Sequence, residues 1–225
     1  MTSTRDLLRL QAWFSPAFPV GSYAYSHGLE AAVEAGVVHD RQSLADWVAW
    51  LVRHGAGRVD GMFFAAAHRA APDAVEGTAL ADEAHAWTGT AEFALESGRQ
   101  GEAFLATIAA AWPHTALDRL AELLEDRPPL SVVGGFAAAI HGIAQEPALV
   151  CYLHAFAAMI VSAGVRLVPL GQTDGQRITA GLESVIPEAA VVAAKTPLET
   201  VGTAAPAADI FSMRHESQYS RIFRS

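Results

Sequence analysis

The stretch ALVCYLHAFAAMIVSAGV, residues 148–165, decides how the rest of the chain is read. It holds eighteen residues without a fixed charge, about the lower limit for a helix that crosses a bilayer. Against a span, it is rich in alanine, contains His154, Ser162 and Gly164, and stops at Arg166. It also has no basic flank on its amino side to orient it. A helix buried in a core, or between two copies, accounts for it better, and no membrane association is expected.

The neighbouring sequence extends the helical reading in both directions. Leu7, Leu8, Leu10 and Phe14 fall at helical spacing within 6–14, and Ser15-Pro16 ends that run. Asp40 stands where an N-cap belongs, ahead of Leu44, Trp47, Val48, Leu51 and Val52 at i, i+3, i+4, i+7 and i+8. That helix falters at Gly55–Gly57, and apolar periodicity resumes through Met62, Phe63 and Ala65–Ala67. Residues 76–112 read as two or more helices with breaks near Gly89 and Gly98. Residues 116–124 read as another, and Arg127-Pro128-Pro129 as a linker. The segments 132–143 and 148–165 are the most apolar. The loop LVPLGQTDG leads into a helix through Ile178, Leu182 and Val185; Pro187 is expected to break it, and a short helix runs on to Ala194. Strand-like alternation is scarce. The expected fold is therefore all-α, a single-domain multi-helix bundle over 1–208 with a short flexible tail at 209–225. The two join through GTAAPAAD, 202–209.

A chain of 225 residues that is 52% hydrophobic, with mean hydropathy +0.23, has more apolar surface than a monomer of its size needs. A partner interface is the simplest use for the surplus. The net charge is −9. Asp209 and Glu216 against Arg214, Arg221 and Arg224 leave the last seventeen residues at +1 and the remainder at −10. Such an acidic body is unsuited to nucleic acid, whose phosphates need clustered Lys and Arg. The single cysteine, Cys151, excludes an intrachain disulfide and favours a reducing compartment. The N-terminal residues show no basic flank, long apolar core or cleavage site of a signal peptide, so a cytoplasmic protein is expected.

Catalytic motifs are missing. The only lysine, Lys195, lies in AAKTP with no glycine-rich loop before it, so no P-loop is present. The glycine pair at 134–135 has no strand ahead of it, and no G-x-S-x-G occurs. No two of the nine histidines lie three or four apart. The nearest approach to a metal pair is Cys151-x-x-His154, on one helical face; two ligands alone do not hold a metal, and a buried cysteine beside a core histidine is the plainer reading. Neither enzyme activity nor a cofactor is expected. Thiolate and imidazole would suit nickel, copper or zinc, so a helical carrier of such a metal, nickel among them, using Cys151 and His154 stands as the alternative.

Four stretches remain. In SPAFPVGSYAYSHGLE, 15–30, the prolines suppress helix, Ser22 and Ser26 can cap, and Tyr23 and Tyr25 are of the type found where surfaces meet. In SAGVRLVPLGQTDGQ, 162–176, Arg166 meets the negative end of the apolar helix, and Gln172, Thr173 and Asp174 offer caps. ESGRQGEAF, 96–104, puts two glycines in a helical pattern, consistent with close helix contact. DIFSMRHESQYSRIFRS, 209–225, mixes arginine with aromatic and aliphatic residues. For the first two, a helix connector and a capped loop are equally good readings.

Together these stretches resemble the signature segments of the urease accessory protein UreF family, in order, over nearly the whole chain from about Leu7 to Ser225. The resemblance implies an all-α homodimer that is not itself an enzyme. It implies binding to UreD (also called UreH), recruitment of the GTPase UreG, and action on apo-urease during GTP-dependent nickel insertion and lysine carbamylation. It also implies a tail that is mobile in the free protein and ordered on UreD. Candidate partner-binding residues are then Tyr23, Tyr25, Arg166, Gln172, Asp174, Arg214, Tyr219, Arg221, Ile222, Phe223 and Arg224. Deleting 211–225 is expected to leave the fold nearly intact.

Overall fold

In the computed structural model every residue from Met62 to Ala67 is buried, so the helix carrying them, α4 (Ala56–Ala70), has no solvent face along that stretch. A helix apolar all round belongs at the centre of a bundle. Around it pack α3 (Arg41–His54), α5 (Ala74–Ala86), α8 (Leu130–Ile140), α9 (Gln145–Leu167) and α11 (Val185–Lys195). The remaining helices are α1 (Thr4–Trp13), α2 (Leu29–Glu34), α6 (Ala91–Ala111), α7 (Thr115–Leu123), α10 (Gln172–Gly181) and α12 (Pro206–Glu216). The structure describes residues 2–124 and 126–225, and no strand occurs among them. The fold is all-α, as the periodicity indicates.

Local chemistry explains most boundaries. Asp40 caps α3 as expected, its carboxylate accepting from the Ser43 amide at 2.8 Å. Leu44, Val48, Leu51 and Val52 then face the core. Each such large side chain taken from water contributes about 1.5–3 kcal/mol. Gly55 separates α3 from α4. Among the described residues α9 is the one helix long and apolar enough to cross a bilayer. It buries Leu149, Leu153, Ala157, Ile160, Ala163 and Gly164 against its neighbours and serves as a core helix.

Three expected breaks fall elsewhere. Gly98 does not interrupt α6, which runs through it and Gly101; both glycines let α6 lie against the backbone of 127–130. Pro187 does not break α11, because it sits in the first turn, where its missing N–H is not needed. The expected linker 202–209 is shorter, since Pro206 occupies the first position of α12 and favours helix there.

Candidate partner-binding surface

The chain turns into α2 through two successive left-handed residues, His27 at φ 55° and Gly28 at φ 74°. His27 is held there by a flat stack on Phe93, 3.9 Å between ring centres, and by a 3.3 Å contact from Nδ1 to Glu96. Gly28 is required twice over. Its φ disfavours other residues, and a Cβ would press within 3.1 Å of the Ala208 carbonyl of α12. α2 and α12 therefore meet backbone to backbone.

On that contact a buried polar network is built. His215 of α12 is wholly enclosed between two carboxylates, with Nε2 3.1 Å from Glu30 and Nδ1 2.9 Å from Glu92. Arg221 donates to Glu92 at 3.2 Å. Glu30 also accepts from the backbone amides of Ile222 at 2.7 Å and Phe223 at 2.9 Å. Ser225 Oγ donates to Glu96 at 2.6 Å, and the Ser225 carbonyl accepts from the Ser26 amide at 3.1 Å and from the Ser26 hydroxyl. Arg224 N–H donates to the Ala24 carbonyl at 2.9 Å. The Arg166 guanidinium lies over the Phe223 ring, 4.3 Å from its centre. Buried carboxylates are costly unless every acceptor finds a donor, and here the C-terminal segment supplies the donors.

The four sequence stretches thus converge. Ala24, Ser26 and Glu30 come from the first, Arg166 from the second, Glu96 from the third, and residues 215–225 from the fourth. The candidate residues divide sharply. Tyr23 is 75% exposed, Tyr219 fully exposed and Ile222 71% exposed; Arg214, Arg224 and Gln172 also face solvent. Arg214 lies 5.6 Å from the Phe211 ring. Asp174 caps nothing and pairs with Arg177 at 3.0 Å and Arg41 at 3.7 Å rather than with the C-terminal strap, residues 217–225 that follow α12. Tyr25 of the first stretch and Phe223 of the docked segment are buried at 3% and 4%, so both are core residues rather than exposed anchors.

The segment is correspondingly not a loose tail in this structure. α12 buries Ala208, Phe211, Ser212 and His215, which places the boundary between 208 and 209 inside a packed helix. Deleting 211–225 would strip Phe211, Ser212 and His215 from the core and leave Glu30 and Glu92 without donors, so it is no neutral truncation. Periodicity did not flag Glu30, Glu92, Glu96 and His215. The available signal was Glu92 and Glu96 at i and i+4 on one helix, a like-charged pair that implies a cationic or donor-rich partner nearby.

Beside the strap a cavity of about 200 Å³ opens between α6 and α9, walled by Phe14, Phe104 and Phe156 with Tyr23 also lining it. Asp60 and Tyr152 meet in it at 2.9 Å, and burial pushes the Asp60 carboxyl up to about 6. Cys151 is half-buried with its thiol pushed up by burial, and His154 is exposed. No group of three His, Cys, Asp or Glu side chains suited to a metal forms among the described residues, so the carrier alternative lacks a third ligand there.

The UreF family model matches residues 38–183. The chain belongs to the UreF family. Its relatives include the urease accessory protein UreF of Granulibacter bethesdensis, 49% identical over all of this chain and 97% of the relative. The urease accessory protein UreF of Rhodopseudomonas palustris is 46% identical over 98% of this chain and 91% of its own length. That of Methylorubrum populi is 43% identical over 98% and 99%. The UreF model covers α3 to α10, whereas the strap and its cradle on α2 lie outside the matched span.

Proposed function

We propose that this UreF-family chain is a urease accessory protein that works as a non-catalytic scaffold. It binds UreD (UreH), brings in the GTPase UreG, and supports GTP-dependent nickel insertion into apo-urease, as a cytoplasmic homodimer. The accessory role comes from its relatives. The observation that carries the mechanism is the exposed side of the docked C-terminal strap. Tyr219 and Ile222 stand out from a segment fixed from beneath by Glu30, Glu92 and Glu96, with Arg214 and Arg224 facing solvent on the same segment. Aromatic and arginine side chains displayed on a rigid support make good binding anchors. The strap is the UreD-binding surface.

The test is capture of UreD by the full chain carrying Tyr219→Ala and Ile222→Ala. Neither side chain is buried, so folding should be unchanged while capture falls at least tenfold. Full capture by the double variant would refute the assignment. Purified chain is expected to hydrolyse no GTP.

A further inference from the structure

We infer that Glu30, which is 6% exposed and turned into the protein, is the positioning residue that sets the partner-facing strap. This rests on the strap being the partner surface. One carboxylate receives three donors from the C-terminal segment: the amides of Ile222 and Phe223 and the ring of His215. The first two are consecutive backbone N–H groups, so both peptide planes are fixed together. The side chains then part, Ile222 to solvent at 71% exposed and Phe223 to the interior at 4%. The third donor belongs to α12, so the same carboxylate locks strap to helix. Glu92 takes two side chains, Arg221 and His215, and Glu96 takes the Ser225 hydroxyl; neither bonds the amides of Ile222 and Phe223. Of the three carboxylates, Glu30 is the one that bonds both consecutive amides and so sets which way their side chains face.

A carboxylate can only accept. Glu30→Gln keeps the shape but turns one oxygen into an N–H₂ group that faces another donor, so at least one of the three bonds is lost. Loss of a bond to a buried charged group corresponds to about a tenfold or larger change in the docking equilibrium. An unfixed strap must then be ordered when the partner binds, which weakens binding without removing any contact.

The experiment compares the full chain with Glu30→Gln, reading amide exchange across 218–225 and the Kd for UreD. Exchange in the strap should rise about tenfold or more, exchange in α4 and α8 should not change, and Kd should rise by a similar factor. A strap as protected as in the parent chain overturns the inference. So does a loosened strap with unchanged Kd when Tyr219→Ala still weakens capture. A loosened strap with no effect of either Glu30→Gln or Tyr219→Ala on capture overturns the partner-surface reading instead, and the inference falls with it. Should Glu30→Gln not fold, Ile222→Pro removes one of the donors at an exposed position and carries the exchange test alone; unchanged protection there overturns the inference.

Discussion

The guanidinium of Arg166 lies 4.3 Å from the centre of the Phe223 ring, joining the end of the longest helix to the buried side of the strap. Arg166 Nε also donates to the Ser162 carbonyl at 3.2 Å, so its charge sits against the negative end of α9 while its guanidinium carbon lies over the ring. Such a contact is worth about 0.5–1 kcal/mol where solvent reaches it. Arg166→Ala should therefore raise amide exchange at Phe223 and its neighbours by roughly two- to fivefold, with the denaturation midpoint of the bundle almost unchanged. Arg166→Lys should recover little, because a lysine ammonium keeps the charge but not the flat stack. Equal protection in all three proteins would show that the contact does not hold the strap.

Two glycines are tight contact points rather than flexible ones. A Cβ on Gly101 of α6 would run into the Pro128 carbonyl, and one on Gly135 of α8 into the carbonyl of Phe64 on α4. Both obstacles are backbone and cannot turn aside. Gly101→Ala and Gly135→Ala should each cost about 3 kcal/mol or more in chemical denaturation, despite alanine's helix preference of about 1 kcal/mol. Gly181→Ala, with nothing within 4 Å of the added atom, should be neutral or mildly stabilising.

Helix identity was legible because it is local. The Asp40 cap and the spacing of Leu44, Val48, Leu51 and Val52 specify α3 unaided, while the glycines of 96–104 signalled a close approach that proved to be to the connector 127–129 and the start of α8 rather than to a helix face. The strap was not legible, because its contacts join residues far apart in the chain: 30 with 215, 92 with 221, 26 with 225. Composition showed that Tyr25 and Phe223 suit an interface but not that this chain's own core would claim them. The expected break at Gly98 failed for a related reason. A glycine in a helix has one meaning when exposed and another when a second backbone lies against it.

Cys151 offers a check on the carrier alternative. Its thiol is half-buried and burial disfavours the thiolate, the form that binds metal. Dialysed protein should therefore take up less than one equivalent of nickel at micromolar concentration, and Cys151→Ala should not change the amount. Stoichiometric nickel lost on that substitution would revive the carrier reading.

Asp60 makes stability depend on pH in a direction opposite to that of most carboxylates. Its carboxyl accepts from Tyr152 at 2.9 Å, which favours the ionised form, but burial dominates and raises the group to about 6 from the ordinary 3.8. The folded state therefore holds the proton more tightly than the unfolded state. The favourable contribution is fully present below about pH 4, is lost as pH rises through about 6, and is gone above it. The gap corresponds to roughly 3 kcal/mol, reduced to about 2 because Asp60 keeps some access to solvent. Asp60→Asn preserves an acceptor for Tyr152 and cannot ionise. Its stability relative to the parent chain should stay near zero at pH 4 and grow to an advantage of about 2 kcal/mol by pH 7, read from urea denaturation at each pH. A difference that stays flat from pH 4 to 7 would mean that Asp60 titrates as an ordinary surface carboxylate.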